Sequence, residues 1–144
     1  MQEIYQISVF LENQAGKLSE VTNLLAENGI DLRAINIAES SDYGVLRVIT
    51  DNADKAVEIL HAHDFIINKT PVLVVSVPDH PGGLANLLNI LAGENFDVEY
   101  MYSIFGQQNG RAYMILRVEN IENVRSVLQN DNIHTADCSE LGIK

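Results

Sequence analysis

The chain has 144 residues, 47% of them hydrophobic, and a net charge of −11. That acidity argues against nucleic acid and anionic membrane surfaces, which both need clustered Lys and Arg. A single cysteine, Cys138, rules out an internal disulfide and a Cys-based zinc site, which suits a reducing, cytoplasmic setting.

In chain order, Tyr5, Ile7, Val9 and Leu11 alternate with Gln6, Ser8 and Phe10. That period of two predicts a strand with one buried face. The start, Met1-Gln2-Glu3-Ile4, enters this strand at once, without the basic and apolar regions of a signal peptide. No apolar run reaches the ~18 residues of a membrane-spanning helix. Leu18, Val21, Leu24 and Leu25 then recur at helical spacing through Asn28, and Gly29 is placed to stop the helix. Ile30 to Ala38 is β-rich, Ser40 to Gly44 is turn chemistry, and Val45 to Thr50 returns as a strand. Asn52 is placed to cap a second helix carrying Ala56, Ile59 and Leu60, before a fourth strand at Phe65-Ile66-Ile67.

The same β-α-β-β-α-β order then repeats. Val72 to Val77 is a strand, and Leu84, Leu87, Leu88 and Leu91 mark a helix. Val98 to Phe105 and Arg111 to Val118 are strands joined across Asn109-Gly110. Val124, Val127 and Leu128 mark the last helix, and Ile133 to Glu140 the last strand, which carries Cys138 as a small core residue. Gly16 and Gly82, Leu18 and Leu84, and Asp31 and Asp97 match at one offset, and Leu46-Arg47-Val48 matches Leu116-Arg117-Val118. The predicted fold is therefore α+β: two ferredoxin-like βαββαβ repeats, 1–69 and 70–144, joined at Asn68 to Pro71. The expected arrangement is side by side, an antiparallel sheet with its helices on one face.

Two loops carry the chemistry. Asn13-Gln14-Ala15-Gly16-Lys17-Leu18 and Asp79-His80-Pro81-Gly82-Gly83-Leu84 each lead from a strand into a helix. Free N–H groups at a helix start favour an anion such as a carboxylate. Asn13 and Asp79 are also placed simply to cap their helices, with Gly16 and Gly82 making the turn. Asp31, Asp79, Asp97 and the Asn13 carbonyl are candidate acceptors for an ammonium group, although Asp31 and Asp97 equally read as solvated strand starts. His80, inside the second loop, is a candidate reader of a ligand side chain. His61 and His63 do not share a helix face and read as surface residues. Tyr100, Tyr102, Phe105 and Tyr113 read as core or domain-joint aromatics, since a basic RNA-binding context is missing. No triad, phosphate loop or catalytic carboxylate pair is present, so no catalytic residue, metal or cofactor is expected.

A strand, then Asn/Asp-x-Pro/Ala-Gly-x-Leu, a helix, and Asn28-Gly29-Ile30-Asp31-Leu32 opening the next strand, resembles the ACT domain. The second copy has Pro81 before Gly82, where the first has Ala15, and its strand opens Asn95-Phe96-Asp97-Val98 without the usual Gly. The resemblance spans nearly all of both repeats. It implies a regulatory module that binds a free amino acid at the joint between domains. It implicates Asn13, Ala15, Gly16, Lys17 and Leu18 with Asp31 and Leu32. In the second repeat it implicates Asp79, His80, Pro81, Gly82, Gly83 and Leu84 with Asp97 and Val98. The second loop, with Pro81-Gly82-Gly83, is the one expected to let a ligand approach most closely. The function implied is a free-standing tandem sensor that signals to a partner enzyme or regulator of amino-acid metabolism and forms a homodimer. The alternative is a ligand-independent scaffold subunit of an enzyme.

Overall fold

The computed structural model describes residues 3–12, 14–39, 43–106 and 109–144. Ten elements follow one another: β1 Ile4–Glu12, α1 Lys17–Glu27, β2 Leu32–Glu39, β3 Tyr43–Thr50, α2 Ala53–Ala62, β4 Ile66–Pro78, α3 Gly83–Gly93, β5 Tyr100–Ser103, β6 Arg111–Arg117 and α4 Ile121–Asn130. They form two compact units. The first is Tyr5–Thr70 with Leu141–Lys144, the second Met1–Ile4 with Pro71–Glu140.

In the first unit the strand order is β2-β3-β1, all antiparallel. Ile7, Val9, Leu46 and Val48 share one face of this sheet by the ladder register. Both helices settle on that face, where Val21, Leu25, Ala56 and Leu60 complete a buried core. Each of the Val, Leu and Ile side chains contributes about 1.5–3 kcal/mol by leaving water. Helix α1 ends as predicted: Gly29 takes φ 70°, and the Gly29 and Ile30 N–H groups donate to the Ala26 and Leu25 carbonyls at 3.0 Å. Asn52 caps α2, its side chain accepting from the Lys55 N–H at 3.2 Å. Beside β1, Lys69 Nζ sits 4.2 Å above the Tyr5 ring.

In the second unit the order is β4-β6-β5, with Leu73, Val75, Val77, Leu87, Leu91, Leu116, Val124 and Leu128 in the core. Asn120 caps α4 as Asn52 caps α2, accepting from the Asn123 N–H at 3.1 Å.

Besides placing Tyr43 and Gly44 in strand β3 rather than in the expected turn, the structure departs from the sequence expectation in four places. The joint Asn68 to Pro71 is part of strand β4 rather than a connector. The strand expected from Val98 to Phe105 forms only over Tyr100–Ser103, after a turn that passes through Asn95 at φ 57°. The strand expected at Ile133 to Glu140 shrinks to one bridge, Val75 with Thr135. Beyond it, the Glu140 N–H donates to Asp137 Oδ1 at 2.9 Å and the Asp137 N–H to Glu140 Oε1 at 3.2 Å, local bonds that compete with an extended chain. Cys138 is accordingly buried in a turn, not on a strand, and desolvation first, then the Asp137 and Glu3 carboxylates, raise its thiol pKa.

The fourth departure is register. Ile7 faces Val48 and Leu73 faces Leu116, so Val48 is the counterpart of Leu116, not of Val118. The two caps agree, since Asn52 and Asn120 follow those residues at the same spacing. A two-residue slip keeps every side chain on its own face, which is why the repeated Leu-Arg-Val matched so well.

Candidate functional site

Both loops turn from strand to helix through a left-handed glycine. Gly16 has φ 88° and ψ −11°, Gly82 φ 91° and ψ −11°, and each is the N-cap of its helix with no side-chain cap bond. The N-cap position of α3 is thus Gly82 rather than Asp79, whose backbone N–H donates to the Gly110 carbonyl at 2.8 Å. Asn13 lies outside the described residues. A Cβ added at Gly16 or Gly82 would meet nothing within 4 Å, so both glycines serve the backbone angle rather than a close approach. Gly83 differs: a Cβ there would stand 2.0 Å from the Pro78 carbonyl oxygen. The space that Gly83 leaves is taken by strand β4.

Each loop lies at the opposite end of its unit from the Asp expected to assist it. Glu12, just before the first loop, pairs with Tyr43, whereas Leu32, just after Asp31, pairs with Thr50. Seven residues along β3 is about 23 Å, far beyond one free amino acid. Asp31 instead bonds Arg33 at 2.7 Å, and its N–H donates to Asp51 Oδ1 at 3.0 Å, while Leu32 packs against the core. In the second unit Pro78 pairs with Arg111 and Tyr100 with Arg117, so Asp97 and Val98 are likewise remote from Gly82. Val98 packs against the core, and Asp97 lines a cleft of about 530 Å³ with Asn95, Glu119 and Asn120 that includes no residue of the second loop.

The first loop does line a cleft. It holds about 300 Å³ between the first turn of α1 and the end of the sheet, walled by Leu11, Glu12, Gln14, Lys17, Leu18, Ile37, Glu39, Gly44 and Leu46. Leu11 and Glu39 both pair with Gly44, and Ile37 with Leu46, which brings three distant stretches to one spot. Gln14 Nε2 donates to Glu12 Oε2 at 2.9 Å, and Lys17 Nζ lies 3.6 Å from Glu20. Ala15 and Gly16 are exposed beside it. A second cleft, of about 380 Å³, shares Leu11, Glu12 and Lys17 with the first and adds Phe10, Tyr43, Phe65 and Ile66.

The second loop has other neighbours. By ladder register and helix start, Pro78 stands where the first unit has Glu12, His80 where it has Gln14, and Gly83 where it has Lys17. Ser103 replaces Ile37, Ala112 replaces Gly44 and Met114 replaces Leu46. His80 is exposed and its Nδ1–H donates to the next carbonyl, of Pro81, at 3.0 Å, while Pro81 and Leu84 are also exposed. Nothing in the sequence singles out Glu12 or Glu39, and Gly44 reads there as part of a turn, whereas the structure puts it in strand β3, where a glycine often marks a close approach. Among the described residues no group of three or more His, Cys, Asp or Glu could hold a metal, and no helix is long and apolar enough to cross a membrane. His61 and His63 are exposed at the end of α2.

Comparison with known proteins points one way. A family model described as an ACT domain pair matches residues 2–142. The crystal structure of protein BT0572 from Bacteroides thetaiotaomicron is 38% identical, with TM-score 0.90 over 97% of this chain and 96% of that one. The regulatory subunit of aspartate kinase from Thermus thermophilus is 20% identical, with TM-score 0.66 over 89% and 92%. That from Thermus flavus is 19% identical, with TM-score 0.61 over 90% of each chain. No curated protein matches the sequence.

Proposed function

This chain belongs to the ACT domain pair family, and on that premise we propose that it is a non-enzymatic cytoplasmic sensor. It binds a free amino acid and passes the signal to a partner enzyme or regulator of amino-acid metabolism. The observation that carries this reading is the first-unit cleft, where an uncapped helix start and Lys17 face Glu12 and Glu39. A free amino acid needs both poles: donors for its carboxylate and acceptors for its ammonium. Lys17 Nζ and the first turn of α1 supply the donor side, and the second loop, lacking the matching charges, is the weaker partner. Aspartate kinase regulatory subunits share the fold, which supports a partner of that kind.

Phe10, Tyr43 and Ile66 are exposed by 39%, 51% and 71% around the adjoining cleft and suit a homodimer contact. Light scattering giving the dimer mass tests that part. The ligand is tested by a thermal-shift screen of the intact chain against each proteinogenic amino acid. A ligand at a hundred times its Kd is expected to add about 2.7 kcal/mol of stability. No shift with any amino acid at millimolar concentration overturns the sensor reading in favour of a ligand-independent scaffold.

A further inference from the structure

We infer that the first-unit cleft takes an amino acid with an aliphatic side chain, and that Gly44 makes the room for it. This rests on the ligand reading above and narrows it to one chemical class. Gly44 lies on β3, paired on both sides, with Leu11 across one ladder and Glu39 across the other. Gly44 is buried and lines the cleft, and a glycine inside a strand often marks a place where another group comes close. The cleft opens toward α1, on the face that carries Leu46 and Ile37. Around it the walls divide by chemistry. Leu11, Leu18, Ile37 and Leu46 form the apolar side, and Leu18 and Ile37 are 38% and 51% exposed with nothing described over them. An aliphatic occupant would cover both.

The polar wall is at the mouth. Glu12 and Glu39 supply carboxylates for the ligand ammonium, and Gln14 steadies Glu12 by its 2.9 Å bond. Lys17 and the uncapped start of α1 supply donors for the carboxylate. A polar or charged ligand side chain would leave its own polar atoms unpaired against Ile37 and Leu46, which selects against it. About 300 Å³ is room for one such molecule.

Calorimetry on the intact chain tests this, with leucine, isoleucine and valine titrated against aspartate, lysine and serine. At least tenfold tighter binding of the aliphatic set is expected. Gly44→Leu fills the cleft and Glu39→Gln removes an ammonium partner on an exposed residue, so the second remains decisive if the first unfolds. Each is expected to weaken aliphatic binding at least tenfold, while Ser103→Ile, at the matching place in the second unit, leaves it within twofold. Tighter binding of a polar amino acid, or unchanged leucine affinity in both cleft variants, overturns the inference and leaves the sensor reading standing. Absence of binding by every amino acid overturns both.

Discussion

The two units turn from strand into helix by the same backbone move, with Gly16 and Gly82 within a few degrees of each other. They then surround that move with different side chains. The first unit sets Glu12, Lys17 and Glu39 around a cleft lined by Gly44. The second has Pro78 and Gly83 for the first two, and Ala112 for the glycine. Gly83 packs its α-carbon against the Pro78 carbonyl, so the helix start closes on the strand. A repeated turn therefore repeats the backbone path alone, whereas the capacity to hold a ligand depends on what the neighbouring strands place under it.

The sharpest way to break this comparison is at positions 17 and 83. Gly83→Ala drives a methyl into a backbone oxygen that cannot swing aside, and about 3 kcal/mol of destabilisation is expected by urea titration. Lys17→Ala, at the same place with a half-buried side chain, should change stability by under about 0.5 kcal/mol. Equal costs would mean that the two helix starts are packed alike.

The next effect tests sameness rather than difference. Gly16→Ala and Gly82→Ala each force a side chain to positive φ with open space around it, and each should cost about 1–2 kcal/mol. A large disparity would show that one turn relaxes where the other does not. Smaller still, Asn52→Ala and Asn120→Ala should each cost about 1 kcal/mol, because each removes one cap bond of like geometry. Below that lies the far corner, where Lys55 Nζ donates to the Asn28 carbonyl at 2.8 Å at the end of α1. Lys55→Met should cost about 0.5 kcal/mol at low salt, and its counterpart Asn123, which bonds Asn120 through the backbone, should lose less on truncation.

Cys138 belongs to the second unit alone. Its folded thiol pKa is raised, so its contribution to stability is present below the unfolded thiol value and lost as pH rises through the folded one. Urea midpoints of the wild type should fall at alkaline pH more than those of Cys138→Ala, and identical profiles would refute the assignment.

The strands and helices were legible where the apolar period was unbroken. Leu84, Leu87, Leu88 and Leu91 marked α3, Asn52 its cap position on α2, and Gly29 the end of α1. The last strand was not legible as absent, because Ile133 to Glu140 has strand-like composition, and only the Asp137–Glu140 bonds reveal the turn. The loops of the candidate site were found at once, since Gly before a helix is a local signal. Glu12, Glu39 and Gly44 were not, because nothing local ties them to Gly16.

The sequence by itself determined the repeated strand-helix-strand-strand-helix order, the turn glycines before α1 and α3 and the acidic charge, since each depends on periodicity, on a residue's own backbone preference or on composition. Only the tertiary structure decided that Asp31 and Asp97 lie a strand's length from their loops. It also decided that the Pro78 carbonyl takes the space beside Gly83 and that Gly44 lines the first-unit cleft. Those facts depend on ladder register, and a two-residue slip in register leaves the alternation of faces in a sequence unchanged.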